Sequence, residues 1–120
     1  VPVLGVCLGH QAIGKFFGAK LQKNTVPTHG KVHQVRKTNA HPYTKDLPES
    51  FKVTRYHSLQ LANLPEELEV LLETESGEVM GMAHKSLPIL GIQYHPEAHL
   101  TEFGLELVKS WVQAMKVGIL

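Results

Sequence analysis

The sequence predicts an α/β fold. Three observations carry that prediction: short apolar runs rich in β-branched residues recur along most of the chain, a stretch near each end has helical spacing, and the first of these follows an apolar run through a cysteine set between two glycines. The 120 residues suffice for one domain with a single core.

The elements are read in chain order. VPVLGV, residues 1–6, is short and apolar and reads as a strand; it runs into HQAIGKFFG, where Gln11, Ala12, Lys15 and Phe16 set a helix that Gly18 ends. Strand-like runs follow at 31–37 (KVHQVRK), 51–57 (FKVTRYH), 68–75 (LEVLLETE), 79–85 (VMGMAHK) and 89–95 (ILGIQYH). Ser76-Gly77 between two of them predicts a hairpin turn. Residues 38–50, with two prolines and several polar turn formers, predict a surface loop. The last element, TEFGLELVKSWVQAMK, places apolar residues at 103, 107, 108, 111, 112 and 115, one helical stripe for the core with Trp111 in it. The chain opens on Val1 with no cap or turn before its first strand, which predicts a portion of a longer domain.

Composition narrows the function classes. A content of 42% hydrophobic and 19% charged residues is that of a globular protein. No apolar run approaches the roughly 18 to 20 residues of a membrane span, and no basic-then-apolar leader is visible, so a cytoplasmic protein without a membrane partner is expected. The net charge of +1 arises from interspersed charges without a basic stripe, which argues against nucleic acid. The single cysteine excludes an internal disulfide.

That cysteine carries the chemistry. Gly5-Val6-Cys7-Leu8-Gly9 has the form Gly-x-nucleophile-x-Gly at a strand-to-helix junction, a nucleophile elbow. A turn so tight leaves no room for a side chain at either glycine. The helix N-terminus favours a thiolate at Cys7, and the Leu8 N–H points where an oxyanion forms. A small buried hydrophobe is the plain alternative for a lone cysteine. Of the eight histidines, His95 follows an apolar strand and precedes Glu97 by two residues. In extended chain the two share a face, so Glu97 can hold one ring nitrogen while the other meets the thiol, and Pro96 keeps His95 extended. A surface His-Pro turn explains the same residues without function. So does a metal site, since His95, Glu97 and His99 alternate on one face, but that reading leaves the elbow unexplained.

Taken together, GVCLGHQAIG (5–14), YHSL (56–59) and GIQYHPE (91–97) resemble the class I (triad) glutamine amidotransferases from Val1 to about Lys116. His29-Gly30-Lys31 and RYHSL (55–59) look most like the glutaminase subunits of anthranilate synthase and 4-amino-4-deoxychorismate synthase. Carbamoyl-phosphate synthase relatives share Ala98 but carry Asn-His-Gly where this chain has YHSL. The resemblance implies a flavodoxin-like fold, a mostly parallel central sheet with flanking helices, here lacking its N-terminal strands. Residues 1–120 are then the C-terminal portion of one amidotransferase domain. It implies a triad of Cys7, His95 and Glu97 that releases ammonia from L-glutamine through a γ-glutamyl thioester, with no cofactor and no metal. Leu8 supplies half the oxyanion hole, Gln11 holds the substrate, and the Ser58-Leu59 backbone reads its amino acid end. A chorismate-binding synthase, whether a separate protein or a fused domain, receives the ammonia, in routes toward tryptophan or folate. His57 and residues 29–31 are candidates for its interface or plain loops. A γ-glutamyl peptide hydrolase and a binding module with a relic triad are the alternatives. An α/β-hydrolase is disfavoured because Glu97 follows His95, whereas that fold places its acid first.

Overall fold

The computed structural model describes residues 1–23, 31–56 and 59–119. The apolar run at the start forms β1 (Val3–Val6) and leads at once into α1 (Leu8–Phe17), which Gly18 ends in the left-handed region, φ 106°, as a glycine C-cap does. β2 (Lys20–Lys23) follows, then β3 (Lys31–Lys37), a single 3₁₀ turn at Pro42–Thr44, β4 (Ser50–Arg55), β5 (Leu59–Ala62), β6 (Leu68–Thr74), β7 (Val79–His84), β8 (Ile89–Ile92) and α2 (Gly104–Ile119). Between β6 and β7, Gly77 takes φ 87° in the expected turn, closed by the Gly77 N–H donating to the Thr74 carbonyl.

Six strands form one sheet in the order β1, β8, β7, β6, β3, β4, and β2 pairs with β5 in a second, two-stranded sheet. The large sheet departs from the mostly parallel arrangement expected. β1 and β8 run parallel in register Val6↔Ile92, while every other described pair is antiparallel. The reason lies in the connections: a parallel pair needs a long crossover, and β1 to β8 is joined by most of the chain, whereas β6, β7 and β8 follow one another through short turns that reverse direction.

Neighbouring residues on a strand face opposite sides, so the sheet divides two cores. One gathers Val35, Phe51, Val53, Leu71, Met80, Leu90 and Ile92 with Leu107 and Trp111 of α2. The other gathers Val79, Met82 and Leu61 against Ile13 and Phe17 of α1. The register shift in β6–β7 lets Met80 and Met82 serve different cores. Trp111 meets Tyr43 of the 3₁₀ turn edge to face at 4.8 Å.

α2 begins three residues later than the start of TEFGLELVKSWVQAMK predicts, and its apolar stripe is narrower. Leu107, Trp111 and the buried Ser110 face inward, whereas Phe103, Val108 and Val112 remain exposed. Residues 101 and 102 serve the sheet instead: the Thr54 N–H donates to Thr101 Oγ1, the Lys52 N–H to Glu102 Oε1, and the Glu102 N–H to the Lys52 carbonyl. They cover the open edge of β4. No helix among the described residues is long and apolar enough to cross a membrane.

Candidate active site

The junction of β1 and α1 sets the geometry of Cys7. It is the N-cap of α1 with φ 56° and ψ −103°, a conformation that costs a non-glycine residue about 1–3 kcal/mol. Two hydrogen bonds hold it there: the Cys7 N–H donates to the Ile92 carbonyl at 2.8 Å, and the Cys7 carbonyl accepts from the Gln11 N–H at 3.1 Å. The glycines on either side are not equivalent. A Cβ at Gly5 would lie 2.6 Å from Ile13 Cδ1 and 2.7 Å from the Gly9 carbonyl carbon, so the first turn of α1 rests directly on β1. A Cβ at Gly9 would meet nothing within 4 Å, so close packing explains the first glycine and not the second.

The electrostatics at the thiol oppose one another. Burial pushes the Cys7 thiol above its ordinary range, the Leu8 N–H draws it down, and the Glu97 carboxylate adds a smaller upward push. The helix end therefore acts as the sequence predicts, but desolvation outweighs it in the resting protein.

β8 delivers the second half of the site. Because β1 and β8 are parallel neighbours, the segment after Ile92 leaves the sheet at the same end as Cys7. His95 Nδ1 lies 2.9 Å from Glu97 Oε2, with Glu97 well exposed. The turn that holds them is closed by the Ala98 N–H donating to the His95 carbonyl at 3.1 Å. No hydrogen bond joins His95 to Cys7 among the described residues; the structure brings the imidazole and its carboxylate together, and sets the thiol at the same sheet end. Among the described residues no group of three His, Cys, Asp or Glu side chains is placed to hold a metal ion, so His95, Glu97 and His99 do not assemble one.

Gln11 is buried and occupies the inner face of α1 one turn beyond Cys7. Its Nε2 donates to the Leu59 carbonyl at 3.4 Å and to Gln93 Oε1 at 3.2 Å. Leu59 thus meets Gln11 through its backbone carbonyl, and the Leu8 N–H lies at the thiol while its side chain is exposed. Ser58, His57 and residues 29 and 30 lie outside the described residues. The residue that sequence reasoning missed is Gln93. It is fully buried, and its Nε2 lies 3.9 Å from Cys7 Sγ. Its signal is a polar residue between Ile92 and Tyr94 in an otherwise apolar run, two residues before His95.

Comparison with known proteins identifies what the chain is similar to. A family described as "Glutamine amidotransferase class-I" matches residues 1–115. The chain is 46% identical over 122 residues to anthranilate synthase component 2 of Azospirillum brasilense, covering 97% of this chain and 60% of that protein. It is 40% identical over 111 residues to an aminodeoxychorismate synthase of Streptomyces griseus, covering 92% of this chain and 15% of that protein. A crystal structure from Thermoplasma acidophilum, assigned to a GMP synthase, superposes with a TM-score of 0.90 at 28% identity, covering 98% of this chain and 58% of that one. The chain thus spans less than two thirds of the length of these relatives.

Proposed function

The chain belongs to the class-I glutamine amidotransferase family, and on that premise we propose that it is the glutamine-hydrolysing part of a chorismate-using synthase, with residues 1–120 a portion of one amidotransferase domain. The observation that carries the reading is the strained Cys7 at the N-terminus of α1, directly after β1, whose parallel neighbour β8 leads to the His95–Glu97 pair at the same end of the sheet.

Cys7 attacks the side-chain amide carbon of L-glutamine. His95 takes the thiol proton and gives it to the departing ammonia, while Glu97 fixes the imidazole tautomer and orientation. The Leu8 N–H stabilises the oxyanion. Water then cleaves the γ-glutamyl thioester and restores the thiol. Gln11 and the backbone at 58–59 hold the substrate. The two synthase relatives, at 46% and 40% identity, support chorismate-derived acceptors over the GMP synthase to which the 28% identical structure is assigned. The reaction needs no cofactor, and a separate synthase chain or a fused domain takes the ammonia, in keeping with a cytoplasmic protein.

The test is Cys7→Ser in the intact protein with its synthase. Glutamine hydrolysis is lost and synthesis from added ammonium salt persists, because ammonia production and use occupy separate sites. Undiminished glutamine hydrolysis by Cys7→Ser overturns the assignment.

A further inference from the structure

Gln93 leaves β8 with its backbone fixed, the N–H donating to the Met80 carbonyl at 3.0 Å, and its buried side chain lies between Gln11 and Cys7. The direction of each amide in this chain of contacts follows from one atom. The Leu59 carbonyl oxygen can only accept, so the end of Gln11 that faces it, at 3.4 Å, is the nitrogen. The same nitrogen lies 3.2 Å from Gln93, which must therefore present its oxygen. That leaves the Gln93 nitrogen toward the Cys7 sulfur at 3.9 Å. One backbone carbonyl thus sets the orientation of two buried amides and the polarity of what reaches the thiol.

Two consequences follow. Both protons of the Gln11 amide nitrogen are engaged, so Gln11 can offer a ligand only its carbonyl oxygen, which reads a donor such as an amide or ammonium N–H. The sulfur in turn receives a donor, and donors at sulfur favour the thiolate. This acts with the Leu8 N–H against the burial that otherwise keeps the thiol protonated.

We propose that Gln93 is a positioning residue that donates a hydrogen bond to the Cys7 sulfur and turns Gln11 so that its carbonyl oxygen faces a donor group of the substrate. The contact with sulfur stands on geometry alone; the role of Gln11 toward substrate rests on the glutaminase reading. A leucine or methionine of similar volume would fill the space at 93 but break both links, and a carboxylate would keep one and lose the other.

The experiment compares Gln93→Met and Gln93→Glu in the intact protein, with circular dichroism to confirm that each is folded. Gln93→Leu takes its place if Gln93→Met is not. The first readout is the pH dependence of Cys7 alkylation by iodoacetamide, followed by mass mapping of its peptide. Both variants move the midpoint upward and slow alkylation below it by about threefold to tenfold, the span expected for one lost hydrogen bond. Gln93→Glu moves it further, because it adds negative charge beside the sulfur. The second readout is the KM for glutamine, which rises by about fivefold or more in Gln93→Met as Gln11 is released, and less in Gln93→Glu, which still accepts from Gln11. An unchanged alkylation midpoint in the folded variants overturns the contact with sulfur, and an equal KM in both overturns the role assigned to Gln11. A shifted midpoint in a protein that never hydrolyses glutamine upholds the contact with sulfur and refutes the glutaminase reading.

Discussion

Gly104→Ala is a change of one methyl group, outside the proposed triad, with a large predicted effect. A Cβ at Gly104 would lie 1.8 Å from the Pro96 carbonyl oxygen, 2.7 Å from its carbonyl carbon and 3.2 Å from its Cα. All three are backbone atoms, so no side-chain rotation relieves the clash. An ordinary carbon–oxygen contact is about 3.3 Å, so the two segments must part by about 1.5 Å. α2 has little freedom to move: Leu107 and Trp111 are buried in the core, and the Leu107 N–H donates to the Phe103 carbonyl at 3.1 Å. The displacement therefore falls on the turn at Pro96, between His95 and Glu97. A misplacement of about 1 Å at a reacting group can cost about 100-fold in rate, and overpacking costs about 1–3 kcal/mol in stability. The assay measures kcat for glutamine hydrolysis, the melting temperature, and alkylation of Cys7, which sits at the N-terminus of α1. The account predicts a loss in kcat of about 100-fold, a lowered melting temperature and retained alkylation. Parent-like kcat in Gly104→Ala refutes the claim that the turn at Pro96 is fixed by contact with α2.

Two further substitutions test the interior. Tyr94 is almost fully buried, its hydroxyl has no hydrogen-bond partner among the described residues, and burial raises its phenol well above the ordinary range. The unfolded chain therefore loses this proton first, and the stability held below about pH 10 declines as pH rises further; Tyr94→Phe removes that alkaline loss and leaves neutral stability unchanged or higher, whereas a clear drop in melting temperature at neutral pH contradicts it. Arg55, fully buried, makes a two-pronged ion pair with Glu78 in the β6–β7 turn. Arg55→Met removes the carboxylate's buried ionic partner and destabilises by about 3–5 kcal/mol, and adding Glu78→Met recovers part of that loss; additive losses in denaturant unfolding refute the pairing.

What the sequence made legible follows from how strongly each segment is patterned. The runs at 31–37, 68–75 and 79–85 are short segments with β-branched or apolar residues bounded by turn formers, and they form strands within a residue of those bounds. β2 and β5 escape the sequence pattern, because Lys20–Lys23 is exposed throughout and has two lysines, and both strands are four residues long, too short for periodicity to speak. The run at 89–95 ends as a strand at Ile92, since the segment beyond turns out of the sheet to carry Gln93 and His95. The start of α2 differs from the pattern because Thr101 and Glu102 satisfy the edge of β4, a tertiary demand invisible to helical spacing. Cys7, His95 and Glu97 are legible because each sits in a short, rigid local motif. Gln93 is not, since its meaning depends on Gln11 and Cys7, both more than eighty residues away in sequence.

The central claim is that Cys7 is the nucleophile of a glutamine site, and the most direct measurement is covalent capture by a glutamine analogue bearing a diazo ketone in place of the side-chain amide. One adduct per chain is expected on the tryptic peptide that ends at Lys15, formed more slowly in the presence of glutamine and absent in Cys7→Ser. An adduct on a histidine, or labelling of Cys7 that glutamine does not slow, contradicts it.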